Sequence, residues 1–226
     1  MAVPMKILTA ENVSYAYKTK YQTVYALREV SCTFETGKLY AIVGRSGSGK
    51  STLLSMLSGM AMPDQGKIIV QGEELTAKKL PKHRRDNISV IYQAFNLFPQ
   101  LTVLENVTFP MEIVRRERDG YTEKARTLLE SVGIKENQFR KLPAQLSGGE
   151  QQRVAIARSL GSPGKIMLAD EPTGNLDTEN GKIVLDILKD LSYKKGYCVI
   201  IVTHDMDIAA KSDAVYHMQD GRLERG

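Results

Sequence analysis

Three clusters of residues in this 226-residue chain have the types and spacing for phosphate chemistry. The first, Gly44-Arg45-Ser46-Gly47-Ser48-Gly49-Lys50-Ser51-Thr52, matches G-x-x-x-x-G-K-[ST]. Its glycines let the backbone curl so that successive N–H groups face a β-phosphate, and a helix N-terminus behind them adds partial positive charge. Lys50 supplies a point charge to the β- and γ-phosphates, and the Ser51 hydroxyl is a ligand for Mg²⁺. The second cluster is the apolar run Ile166-Met167-Leu168-Ala169 ending in Asp170-Glu171. Asp170 is placed to hold a Mg²⁺ shell, and Glu171 to polarise, as general base, a water attacking the γ-phosphate. Adjacent strand residues point to opposite faces, so these carboxylates need a turn, expected at Pro172, to converge on one phosphate. The third cluster is Leu146-Ser147-Gly148-Gly149-Glu150-Gln151-Gln152-Arg153. Ser147 and Glu150 fit an S-x-x-E capping box, but paired glycines at Gly148 and Gly149 are poor helix formers and are left over. Bare N–H groups there form a second anion site, and two such sites in one chain point to clamping of a γ-phosphate from both sides.

The intervening sequence supplies elements to position these clusters. Leu39 to Val43 reads as a buried strand, followed by the glycine loop and a helix from Lys50 to Ser58 that Gly59 ends. Ile88–Tyr92, Ile166–Ala169, Cys198–Thr203 and Ala214–Met218 read as further strands. Continuous apolar strands between helices predict an α/β fold with a mostly parallel sheet covered on both faces. The first 35 residues or so and Lys67–Gln71 alternate more and predict an antiparallel β flap. Strand signals vanish from Ala94 to Leu160; Ala125, Leu128, Leu129 and Val132 form one stripe, and the segment reads as an inserted all-helical subdomain. The expected layout is a single domain over 1–226, with 1–93 and 161–226 as the α/β core and 94–160 as the helical part.

Composition narrows the classes. The apolar content of 42% supports one compact core, and no apolar run approaches the roughly 20 residues needed to span a bilayer. Cys32 and Cys198 lie in apolar strand-like runs and read as buried reduced thiols. The net charge of +5 comes from short runs, namely Lys78, Lys79, Lys82, Arg84 and Arg85; Arg115, Arg116 and Arg118; and Lys194 and Lys195. Acidic residues are interspersed, and nothing resembles the aromatic-basic interleaving of single-strand binders, so no nucleic-acid partner is expected.

The phosphate loop alone would fit a kinase, a GTPase or an ATPase. With the Leu146–Arg153 segment, the chain resembles the ATP-binding cassette (ABC) ATPases over nearly its whole length, which implies a P-loop NTPase core of RecA-like type. The resemblance implies ATP and Mg²⁺ as cofactors, with Ser51, Gln93 and Asp170 around the metal and Glu171, His204 and Gln93 in catalysis. Tyr17 resembles the aromatic that stacks on adenine, although Tyr15, Tyr21 and Tyr25 compete for that role. Gly174-Asn175-Leu176-Asp177 resembles the loop that touches an opposite subunit, and His204 the switch histidine at the γ-phosphate. Ser147, Gly148, Gly149, Glu150 and Asp177 are then expected to read the nucleotide of a second copy.

The strings Asp170-Glu171-Pro172-Thr173-Gly174-Asn175-Leu176-Asp177 and Gln93-Ala94-Phe95-Asn96-Leu97-Phe98-Pro99 are similar to one branch, that of lipoprotein-release, macrolide-exporter and antimicrobial-peptide-resistance ATPases. That branch implies a head-to-tail dimer at the cytoplasmic face of the cell membrane. A separate integral membrane permease would be gripped by a groove near Gln93 to Leu104. A soluble ABC-type ATPase acting on nucleic acid or ribosomes fits less well. Lys50 and Ser147 are only 97 residues apart, too few for a long coiled coil, and there is one cassette. A P-loop kinase would leave Leu146–Arg153 idle. A sensor role reporting on a ligand held by the permease remains open, as does the cargo.

Overall fold

The computed structural model describes residues 4–114 and 120–226; the basic run Arg115, Arg116 and Arg118 lies outside the described residues. In chain order the elements are β1 (Lys6–Lys18), β2 (Thr23–Glu35), β3 (Leu39–Val43), α1 (Lys50–Leu57), β4 (Gln65–Val70), β5 (Glu73–Glu74), α2 (Leu80–Asp86), β6 (Ile88–Ile91), α3 (Val103–Val114), α4 (Tyr121–Ser131), α5 (Gly148–Leu160), β7 (Ile166–Asp170), α6 (Thr178–Tyr193), β8 (Cys198–Thr203), α7 (Met206–Ala209), β9 (Ala214–Gln219) and β10 (Arg222–Arg225). Two sheets result. One is a six-stranded sheet of order β10-β9-β3-β8-β7-β6, parallel except for β10, and the other is an antiparallel sheet of order β2-β1-β4-β5. The α/β fold with an antiparallel flap is therefore the one expected.

Alternation along the parallel strands divides the core in two. Ile166 and Leu168 of β7, with Cys198, Ile200 and Val202 of β8, pack towards α1 and the flap, where Phe34, Leu53 and Leu57 are fully buried. Met167 and Ala169, with Val199 and Ile201, pack on the opposite face. There they join Val107 of α3, Leu129 of α4, Val154 of α5 and Leu185 of α6 in one continuous apolar cluster. Each fully buried Ile or Leu contributes about 1.5–3 kcal/mol relative to exposure, so both faces of the sheet are strongly held. Cys32 and Cys198 are free and buried; desolvation pushes the Cys32 thiol up to about 12 and raises that of Cys198 as well.

Parallel pairing brings the chemistry-bearing ends to one edge. Val43 pairs with Thr203, Asp170 with Val202, and Ile91 with Ala169. The segments that leave β3, β6, β7 and β8 at their C-terminal ends therefore emerge side by side, which is where open parallel sheets bind ligands.

Candidate functional site

A cleft of about 650 Å³ opens at that edge, lined by Ser46, Gly47, Gly49, Lys50, Ser51 and Thr52 from the phosphate loop, by Asp170, Glu171 and His204 from the strand ends, and by Gln93 and Tyr17. Eleven residues from five separated stretches of sequence thus line one cleft. Val24, Tyr25 and Ala26 of β2 also line it. Of the competing tyrosines, Tyr15 packs against the core and meets Tyr17 edge-on at 5.1 Å, and Tyr21 is 90% exposed at the hairpin tip. Tyr17 and Tyr25 share the cleft, and the Tyr17 hydroxyl is 3.2 Å from Thr52 Oγ1. Tyr17 lies within β1, whose pairing with β2 continues past the irregularities around Asn12 (φ 50) to Lys18.

The phosphate loop is a cradle of donors. Gly49 precedes α1 with φ 110, and a Cβ there would sit 2.4 Å from the Ala26 carbonyl oxygen, so only glycine fits. No side chain caps α1 and no acidic residue lies in its first turn, so its leading N–H groups and dipole are left for an anion. The buried Lys50 ammonium donates to the carbonyls of Gly44 (2.7 Å) and Arg45 (2.9 Å), which hold its charge over the loop. Gly44, Ser48 and the exposed Arg45 side chain do not line the cleft.

The two carboxylates converge by a different device from the one expected. Glu171 itself takes a left-handed conformation (φ 45) immediately after β7, before Pro172 is reached. Its N–H still pairs with the Val202 carbonyl at 2.9 Å, so the reversal is set within the sheet edge. The Glu171 carboxylate accepts from Thr203 Oγ1 at 3.0 Å and lies 2.8 Å from His204 Nδ1. Beside it, burial first and then the Glu171 charge raise the Asp170 carboxyl, while Lys50 pulls it down.

Two residues tie the third cluster to this edge. Gln152 of α5, fully buried, donates to the Pro172 carbonyl at 2.8 Å. Arg158, at the other end of α5, donates to the carbonyls of Phe95 (3.0 Å) and Asn96, two consecutive left-handed residues just beyond Gln93. Gln93 Nε2 in turn donates to Asn175 Oδ1 at 3.3 Å, and Asn175 Nδ2 to the Gln93 carbonyl at 3.0 Å. Arg158, Gln152 and Thr203 carry no local signal in the sequence, because their roles come from contacts across 20 or more residues.

Ser147, Gly148, Gly149, Glu150 and Asp177 do not line the cleft of their own chain. The capping box is formed, with Ser147 Oγ accepting from the Glu150 N–H at 3.2 Å and Glu150 Oε2 accepting from the Ser147 N–H at 2.8 Å. Hydrogen bonds from the Ser147 backbone and from Gln138 hold the Glu150 carboxyl below the usual range. Asp177 caps α6 through the Asn180 N–H at 2.8 Å.

The paired glycines separate into two kinds. A Cβ on Gly149 would lie 2.1 Å from Asn180 Oδ1 and 2.8 Å from Asn180 Cβ, so Gly149 is needed for α5 to pass α6. A Cβ on Gly148 would meet nothing closer than 3.6 Å. Gly149→Ala is expected to destabilise the fold by about 1–3 kcal/mol through overpacking. Gly148→Ala should leave the thermal midpoint within error; equal midpoints for both variants in thermal unfolding would contradict this.

Ser51, Gln93 and Asp170 offer a hydroxyl, an amide carbonyl and a carboxylate in one cleft, the hard oxygen donors that suit Mg²⁺. Among the described residues no cluster of three or more His, Cys, Asp or Glu could hold a metal alone.

A second groove, of about 340 Å³, lies between α2, β6 and the helices α3 to α5. No residue from Gln93 to Leu104 lines it; Tyr92, Pro110, Tyr121 and Arg158 do. Arg158 ties down Phe95 and Asn96, and Asn106 Nδ2 donates to the carbonyls of Phe98, Leu101 and Thr102, which folds the stretch back as a loop.

Comparison with known proteins gives a consistent relationship. The ABC transporter family pattern matches residues 27–174. The chain is 39% identical to the lipoprotein-releasing system ATP-binding protein LolD 2 of Rhodopirellula baltica over 98% of this chain and 90% of that one. It is 39% identical to the macrolide export ATP-binding/permease protein MacB of Escherichia coli, over 96% of this chain and 34% of that one. It superposes on the dimeric structure of MJ0796, a bacterial ABC transporter cassette, with a TM-score of 0.88, 37% identity and 97% of each chain covered. A post-hydrolysis dimer of the same cassette bound to ADP and Pi matches equally well, with a TM-score of 0.88, 36% identity and the same coverage.

Proposed function

The chain belongs to the ABC transporter family as an ATP-hydrolysing, ATP-binding subunit, and we propose that it works as a head-to-tail dimer in which each nucleotide is read by both copies. The observation that carries this is the separation of Ser147–Glu150 from the cleft of their own chain. An anion-binding helix start that does not face the chain's own phosphate loop is free to meet another's. The dimeric cassette relative supports the same arrangement.

In this reading Tyr17 stacks on the adenine, the phosphate-loop N–H groups and Lys50 hold the β- and γ-phosphates, and Ser147, Gly148 and Gly149 of the second copy close on the γ-phosphate. Ser51, Gln93 and Asp170 hold Mg²⁺, which neutralises phosphate charge when bound. Glu171 takes a proton from the attacking water, and Thr203 and His204 position its carboxylate. Asp177 and Asn175 lie at the copy–copy contact, so loss of the γ-phosphate is relayed through Asn175 to Gln93. Residues 94–160 act as the lobe that carries the third cluster, on the frame of 1–93 and 161–226. Closing and opening drive a separate membrane permease seated in the groove beside β6, with the chain at the cytoplasmic face. The likeness to LolD 2 and MacB supports work on lipoprotein release or export.

Mixing two inactive chains tests the shared site. Lys50→Ala disables a phosphate loop and Gly148→Arg disables an anion-binding helix start. A mixed dimer rebuilds one intact site, so ATPase activity should return on mixing. A mixture as inactive as its components would contradict sharing.

A further inference from the structure

We propose that Gln152 is the positioning residue for the catalytic base, holding the outgoing half of the Glu171 turn against α5; this rests on the reading of Glu171 as that base. The incoming half of the turn is fixed by the sheet, where the Glu171 N–H pairs with the Val202 carbonyl at 2.9 Å. Glu171 has a left-handed backbone (φ 45), a conformation that a non-glycine residue keeps only where its surroundings impose it. The Gly174 N–H closes the turn on the Glu171 carbonyl at 3.0 Å, but both ends of that bond lie within the turn itself. Pro172 has no N–H with which to anchor the turn from outside. Its carbonyl is the next group that can be held, and no backbone N–H among the described residues reaches it. Gln152 Nε2 does, at 2.8 Å, from the second turn of α5.

Stability does not account for this amide. Gln152 is fully buried, and its Oε1 has no hydrogen-bond partner among the described residues. A buried acceptor left unpaired costs about as much as the single bond on the other side of the amide returns. With Oε1 unpartnered, the Pro172 carbonyl alone decides which way the amide faces, since the flipped amide would set oxygen against oxygen. An apolar side chain of the same length would fill the space equally well, so what the amide adds is the place of the turn. The next residue of α5 holds the far end of the same stretch. Arg153 Nη1 donates to Asn180 Oδ1 at 3.4 Å, and Asn180 Nδ2 to Asp177 Oδ2 at 2.8 Å. Consecutive residues of α5 therefore grip the chain from Pro172 to Asn180 at both ends. Ser147 caps the same helix, so a shift of the helix start is carried to the base through one hydrogen bond.

Two substitutions in the full chain test this. Gln152→Met keeps the length of the side chain and removes the donor. Its turnover should fall about tenfold or more, the scale of a slightly misplaced catalytic group, while ATP affinity by calorimetric titration and the thermal midpoint stay those of the parent. Gln152→Glu keeps a donor only while its carboxyl is protonated, and burial raises that carboxyl above the ordinary range. Its turnover relative to the parent should be highest at acid pH and fall as pH rises through the shifted value, whereas the ratio for Gln152→Met stays flat. Parent-like turnover in Gln152→Met, a loss of turnover matched by an equal loss of ATP affinity, or a flat ratio for Gln152→Glu would overturn the proposal. If Gln152→Met does not fold, the pH profile of Gln152→Glu decides alone. Glu171→Gln is measured beside them: if it retains turnover, the assignment of the base fails, and if it is inactive while Gln152→Met is fully active, only the positioning role falls.

Discussion

Glu171→Gln is expected to bind ATP as tightly as the unaltered chain and to hydrolyse it at least 100-fold more slowly, the scale of a lost general base. The substitution keeps the size of the side chain and its acceptor for Thr203 Oγ1, which holds the carboxylate at 3.0 Å. The left-handed backbone at Glu171 is set by β7 and by its pairing with Val202, so it survives the change. What is lost is basicity, 2.8 Å from His204 Nδ1 and beside an Asp170 carboxyl raised by burial. Phosphate release and calorimetric ATP titration measure the two quantities separately. Turnover within tenfold of the parent would move the base to another residue.

Lys50→Ala is expected to abolish turnover and to weaken ATP binding by about 10–100-fold, since a hydrogen bond to a charged group contributes about 1.5–3 kcal/mol. Lys50 is buried, and its ammonium ties the carbonyls of Gly44 and Arg45 together. The substitution therefore removes the charge and leaves two carbonyls of the loop without their donor. Lys50→Arg should not rescue, because a planar guanidinium cannot take the place of a compact ammonium between two carbonyls. Unchanged ATPase activity in Lys50→Ala would overturn the assignment of the phosphate loop.

Most of the frame was legible because its signals are local. The apolar runs at Leu39–Val43 and Cys198–Thr203 are strands over those same residues, and the helix after the glycine loop starts at Lys50 and ends at Leu57, one residue short of the expected Ser58. Parallel strands made the convergence of Lys50, Asp170, Glu171 and His204 legible too, since each follows a strand end. The remainder depends on contacts that no local pattern encodes. Gly149 reads as a bare anion site until Asn180, 31 residues on, is seen against it. Arg158 looks like an ordinary helix residue, yet it binds carbonyls 62 and 63 residues away. Proline chemistry points to a turn at Pro172, although pairing with β8 sets it one residue earlier, at Glu171.

The central claim, that one chain's Ser147–Gly149 reads the nucleotide held by another, is tested most directly by the mass in solution of Glu171→Gln at saturating ATP and Mg²⁺. Light scattering should give twice the 25.2 kDa chain with ATP and a single chain with ADP, and adding Gly148→Arg should return the ATP form to a single chain. A Glu171→Gln chain that binds ATP yet stays at 25.2 kDa, or a dimer indifferent to Gly148→Arg, would contradict it.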